Sequence, residues 1–153
     1  VQLPGDRHGL LADVTSVGRG AEEPEGAVVG AFAGEEQDRP SVALMVPIPE
    51  ASRAALAGAA DPSVRALVLL SPGLDYRGLR IETAMTTRFT DRPVLILVSQ
   101  EDPYSLRSAR ILAGGSGLTE LRVLEGAGHG TAMFSRVPDL VSSLVDWLAM
   151  RLL

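Results

Sequence analysis

The stretch that most constrains this chain is an apolar run closed off by turn residues. Residues 92–104 read Arg-Pro-Val-Leu-Ile-Leu-Val-Ser-Gln-Glu-Asp-Pro-Tyr. Val94 to Val98 is apolar without a break, which is the pattern of a strand buried on both faces of a parallel sheet rather than one with a wet side. Asp102 follows within four residues and precedes Pro103. In an open α/β sheet, residues just past the carboxyl end of a buried strand stand where ligands and chemistry are placed.

The rest of the chain alternates in the way such a strand requires. Ser41–Val46 and Val64–Leu70 are two further buried runs, and Leu121–Leu124 is a shorter one. Between them, Glu50–Ala59, Ile81–Arg88 and Ser105–Leu112 carry helical composition. Pro138–Leu152 closes the chain as a helix, with Val137, Leu140, Val141, Leu144, Val145 and Leu148 at three- and four-residue spacing, so that one stripe is expected to face the core. Residues 1–23 are rich in Gly and charge and read as loop. Pro24 with Glu22, Glu23 and Glu25 suits the start of a helix over 24–36. Gly26, Gly30 and Gly34 weaken that helix, and a strand over 27–33 is the alternative. Strands alternating with helices predict an α/β fold, with a mostly parallel sheet of four to five strands in a single domain over 1–153.

Composition excludes several classes of function. The chain of 153 residues carries a net charge of −5, and its 14 basic residues are all Arg. An acidic balance without a basic stripe argues against nucleic acid as a partner. No run approaches the ~20 apolar residues of a membrane span. The first residues lack the basic-then-apolar order of a signal peptide, so a soluble chain is expected, with the cytoplasm favoured. There is no Cys, which removes disulfides, thiolate nucleophiles and zinc–thiolate sites. No cofactor or metal is expected: Gly-rich phosphate loops are missing, and Glu22, Glu23, Glu25, Glu35 and Glu36 have no histidine near them in sequence and read as a solvated face.

Only His8 and His129 are present. His129 lies in Gly126-Ala127-Gly128-His129-Gly130, just after the last strand, whereas Asp102 lies after the strand before it. If those strands are neighbours, both loops open at one edge, and Asp102 can orient the ring by accepting a hydrogen bond from one of its nitrogens. The competing reading has Asp102 capping the next helix, as Asp before Pro commonly does, with His129 an ordinary loop residue. Ser71, after the Val64–Leu70 run, reads as a turn residue beside Pro72. Asp75, Tyr76 and Arg77 read as a polar loop.

From Val64 onward the segments VRALVLLSPGLDYRGL, RPVLILVSQEDP, LEGAGHGT and the closing helix with Trp147 resemble the second half of an α/β-hydrolase. Asp6-Arg7-His8-Gly9 and Asp38-Arg39 extend the likeness weakly toward the start. The resemblance implies a partial hydrolase-like three-layer sandwich, with Asp102 and His129 as triad acid and triad histidine in the family's order. It also implies a G-x-S-x-G elbow after Val46, where the chain instead reads Pro47-Ile48-Pro49-Glu50-Ala51-Ser52. Pro49 falls at the serine, and a proline has no hydroxyl and cannot take the elbow's positive φ. Ser52, three residues on, is a poor substitute. The family's early strands, one of which leads into an oxyanion-donor loop, are on this likeness expected to be missing as well. On this likeness Ser41–Val46 would be left as an exposed edge, to be covered by the N-terminal segment, a second copy or another chain. The expectations are therefore a hydrolase-like binding or assembly module with a vestigial Asp–His pair, an acyl hydrolase whose nucleophile lies elsewhere, or a truncated product.

Overall fold

The computed structural model describes the backbone of residues 28–32, 41–47, 60–62, 64–76, 78–115 and 117–152. In chain order the strands are β1 (Val28–Phe32), β2 (Ser41–Pro47), β3 (Val64–Leu70), the short pair β4 (Asp75–Tyr76) and β5 (Leu79–Arg80), β6 (Val94–Ser99) and β7 (Thr119–Leu124). The helices are α1 (Glu82–Arg88), α2 (Pro103–Ala113), α3 (Met133–Arg136) and α4 (Leu140–Leu152), with a 3₁₀ turn over Gly130–Ala132 before α3. The main sheet runs β1-β2-β3-β6-β7. β2, β3, β6 and β7 pair in parallel, and β1 is antiparallel to β2. The α/β class follows directly.

β3 and β6 form the centre of the sheet because their side chains alternate between two apolar clusters. Leu67, Leu69, Val94, Ile96 and Val98 pack with Ile81, Met85, Phe89, Ala109 and Leu112 of the α1–α2 side. Ala66, Val68, Leu70, Leu95 and Leu97 pack with Met133, Leu140, Leu144, Trp147, Leu148 and Leu152 of the α3–α4 side. Both faces of these strands are thus covered, which is why their sequences are continuously apolar. Val64 breaks the alternation and joins the α1–α2 cluster. The ladder slips there, Val42 facing Val64 but Ala43 facing Ala66, and one extra residue in a strand turns the preceding side chain to the other face.

Two expectations need correction, and one is met by the first of its alternatives. The helix over 24–36 is not formed across Val28–Phe32, which is strand β1. Gly30 costs a helix about 1 kcal/mol relative to Ala, and the segment instead gains a ladder from Val28↔Met45 to Phe32↔Ser41. That ladder covers the free side of β2 with a segment N-terminal to it, the first of the three covers expected for Ser41–Val46, so the edge is not left for a second copy or another chain. In α4 the buried stripe is Leu140, Leu144, Trp147, Leu148 and Leu152, whereas Val141 is 58% exposed. The helix begins at Leu140, after Asp139 at φ +60°, and this start sets Val141 on the outer side. Loop 1–23 and the helix over 50–59 lie outside the described residues.

Candidate functional site

Two loops meet at the carboxyl edge of the sheet because β6 and β7 are neighbours in register, Val94↔Thr119 through Ser99↔Leu124. The first loop leaves β6 and enters α2 at Pro103. Asp102 is the N-cap of α2, its Oδ1 accepting the Ser105 backbone N–H at 3.1 Å. Pro103 occupies the first helical position, where its missing N–H is no loss. The second loop leaves β7 and passes through Gly126, Gly128 and Gly130 at φ +61°, +77° and +57°. His129 sits between them with extended φ −123° and ψ 137°. The left-handed residues cost glycine little, and a Cβ at Gly128 would meet the Arg136 side chain at 3.0–3.2 Å.

His129 Nδ1 lies 2.5 Å from Asp102 Oδ2. The two roles weighed for Asp102 are therefore not alternatives, since one oxygen caps the helix and the other holds the histidine. Burial pulls the Asp102 carboxyl upward, but the Ser105 N–H, the His129 ring, the Ser105 hydroxyl and the His129 charge together outweigh it, and its pKa lies below the usual value. An ionised carboxylate only accepts, so Nδ1 is the donor in this contact. Asp102 keeps 17% of its side-chain exposure and His129 55%. The anchor is thus largely dry and the ring largely wet. Among the described residues none hydrogen-bonds to Nε2.

Three further residues hold this arrangement: Glu101 and Ser105, which pattern alone did not single out, and Ser71, which it read as a turn residue. Glu101 accepts the Gly126 N–H at 3.0 Å on each carboxylate oxygen, and the Ser99 hydroxyl at 2.5 Å. The Ser99 hydroxyl and then the Gly126 N–H lower its pKa. Ser71 is fully buried at φ +49°, a backbone state that costs a non-glycine residue about 1–2 kcal/mol. Its N–H donates to Leu97 O at 2.8 Å, and its hydroxyl accepts the Gly130 N–H at 3.1 Å. Ser105, also fully buried, donates its hydroxyl to Ser71 O at 3.2 Å. The Ser-Gln-Glu-Asp-Pro and Ser-Pro-Gly turns carried the only sequence signal for these roles, because polar residues at the ends of buried strands must find partners.

The other candidates separate from the site. Asp75 Oδ1 accepts the Gly78 N–H at 2.9 Å and is a turn residue. Ser71 is a turn residue too, but one tied into the His129 loop and closed to solvent. Pro49, Ser52, His8 and the glutamates at 22, 23, 25, 35 and 36 lie outside the described residues. Among the described residues no group of three His, Asp or Glu could hold a metal ion, and no helix is long and apolar enough to cross a membrane. Searches of protein-family models, curated proteins and solved structures found no match for this chain.

Proposed function

We propose that the chain is a hydrolase-like module that keeps an oriented Asp102–His129 pair without a serine for it to activate, and that it binds or assembles rather than catalyses. The observation that carries this reading is Pro47 at the carboxyl end of β2. Its register partner is Leu70, the residue before Ser71, and β2 lies against the Gly130–Ala132 turn beside His129. A nucleophile fed to His129 from β2 would have to sit here, where the chain reads Pro-Ile-Pro. Proline brings no hydroxyl and fixes φ near −65°. The parallel order β2-β3-β6-β7, with the acid after β6 and the histidine after β7, supports the likeness to the second half of an α/β-hydrolase sandwich.

The Asp102–His129 geometry itself favours a second reading, an esterase- or peptidase-like acyl hydrolase with its nucleophile supplied elsewhere. A carboxylate that fixes one imidazole tautomer and leaves Nε2 open is the arrangement a general base needs. An activated-serine probe such as a fluorophosphonate separates the two. On the first reading the full chain takes up no label, and short acyl esters turn over no faster with it than with His129→Ala. Stoichiometric labelling of one serine, abolished by His129→Ala, would sink the first reading and establish the second.

A further inference from the structure

The hydrogen bonds around the pair close on themselves. Ser105 Oγ donates to Ser71 O at 3.2 Å, and Ser105 N donates to Asp102 Oδ1 at 3.1 Å. Asp102 Oδ2 meets His129 Nδ1 at 2.5 Å, and Gly130 N, the next residue's amide, returns to Ser71 Oγ at 3.1 Å. We propose that Ser71 is the positioning residue of this site: it holds the Asp102 helix through its carbonyl and the His129 loop through its hydroxyl.

Chain physics gives the reason such a residue is needed. A loop with left-handed glycines at 126, 128 and 130 has many conformations to lose. Two pins bracket His129 in it. Glu101 holds Gly126 from a fully exposed carboxylate, where water competes for the same N–H. Ser71 holds Gly130 in a buried contact, where both residues are closed to solvent and an unmade bond would leave a buried donor unsatisfied. The inner pin is therefore the decisive one for the ring. It also explains why a serine occupies a backbone state that suits glycine: glycine would relieve the strain and lose the hydroxyl. Because the Gly130 N–H is spent on Ser71, it is not a donor for a bound ligand. The role concerns the geometry of the pair and stands whether the pair binds or catalyses.

The test is nuclear magnetic resonance on the full chain labelled with ¹⁵N, reading the His129 ring tautomer, its Nδ1 proton and the exchange of the Gly130 amide. Only two histidines contribute ring signals. In the parent chain the ring is held as one tautomer with a downfield Nδ1 proton. Ser71→Gly removes the hydroxyl while easing the backbone; it speeds Gly130 exchange about three- to tenfold, as loss of one neutral hydrogen bond implies, and lets the second tautomer appear. Ser105→Ala breaks the circuit from the helix side and moves the ring signals the same way. Ser108→Ala, a buried hydroxyl of the same helix that bonds only Tyr104 O at 3.0 Å, moves neither. Parent-like ring signals in Ser71→Gly overturn the proposal, as does an equal shift in Ser108→Ala. Should Ser71→Gly not fold, parent-like signals in Ser105→Ala overturn it as well.

Discussion

The two ends of β7 each carry a network centred on a carboxylate, and they differ in one respect. At the start of the strand Glu120 accepts Arg122 Nε at 2.7 Å and Trp147 Nε1 at 2.8 Å, with Arg151 at 3.9 Å. Arg122 goes on to donate to Ser143 Oγ at 2.9 Å. Past the far end of the strand, Asp102 and Glu101 use their oxygens on the next two turns of chain. The first network spends its groups fastening β7 to α4. The second stops at an imidazole that is 55% exposed, with Nε2 unbonded among the described residues. Both carboxylates titrate below their usual values, and in both burial works against the shift while hydrogen-bond donors outweigh it. A lowered carboxyl pKa thus does not tell a structural network from a functional one. The open ring atom does.

The largest effect belongs to the structural end. Trp147 is 1% exposed and packs in the α3–α4 cluster, so Trp147→Ala should cost about 3–5 kcal/mol by removing the ring and leaving a cavity. Denaturant unfolding measures it. A loss below about 1 kcal/mol would mean that α4 is not docked as described.

Asp102 comes next and splits the comparison within one residue. Asp102→Ala loses both the cap and the histidine and should cost about 1–2 kcal/mol. Asn caps as well as Asp does, but its amide is uncharged and cannot hold the ring in the same way. Asp102→Asn should therefore unfold within about 0.5 kcal/mol of the parent while the His129 tautomer becomes mixed. If Asn and Ala destabilise equally, the cap is not what Asp102 contributes.

Much of this end of the molecule was legible in the sequence, and the reasons are local. β6 announced itself because a strand covered on both faces needs no polar alternation. Asp102 and His129 could be matched because a parallel order puts successive strand ends at one edge. The circuit behind them was not legible. Whether a serine before a proline closes a turn or joins two loops depends on a partner 59 residues away, and neither pattern nor propensity reaches that far. The Gly130–Arg136 turn and short helix were equally hidden, since four residues of helix have no period to read. At β1 the Pro24 and glutamate signals pointed to helix, and the tertiary ladder with β2 prevailed over them.

Acid should act on both ends of β7 together. The folded-state pKa values of Asp102, Glu101 and Glu120 are lowered, whereas unfolded Asp and Glu titrate at about 3.9 and 4.3. Below those values the unfolded chain binds more protons than the folded one, so stability falls as pH falls. The Tm should be level above about pH 5 and decline below about pH 4. In Asp102→Asn the decline should be shallower. An unchanged slope in that variant would mean that Asp102 is not held ionised by its partners.

The smallest effect separates the two ends most cleanly. Glu120 keeps 38% and Arg122 32% of side-chain exposure, and exposed pairs of this kind contribute about 0–1 kcal/mol after solvent screening. Glu120→Gln retains an oxygen for Trp147 Nε1 and removes the charge that faces Arg122 and Arg151. Its cost should stay under about 1 kcal/mol and shrink further in high salt. Meanwhile the ring signals of His129 should remain at their parent positions, because among the described residues no side-chain hydrogen bond links Glu120 to the Ser71–Ser105–Asp102–His129 circuit. A shift of the His129 tautomer in Glu120→Gln would show that β7 transmits strain along its length, and the two networks would then have to be treated as one.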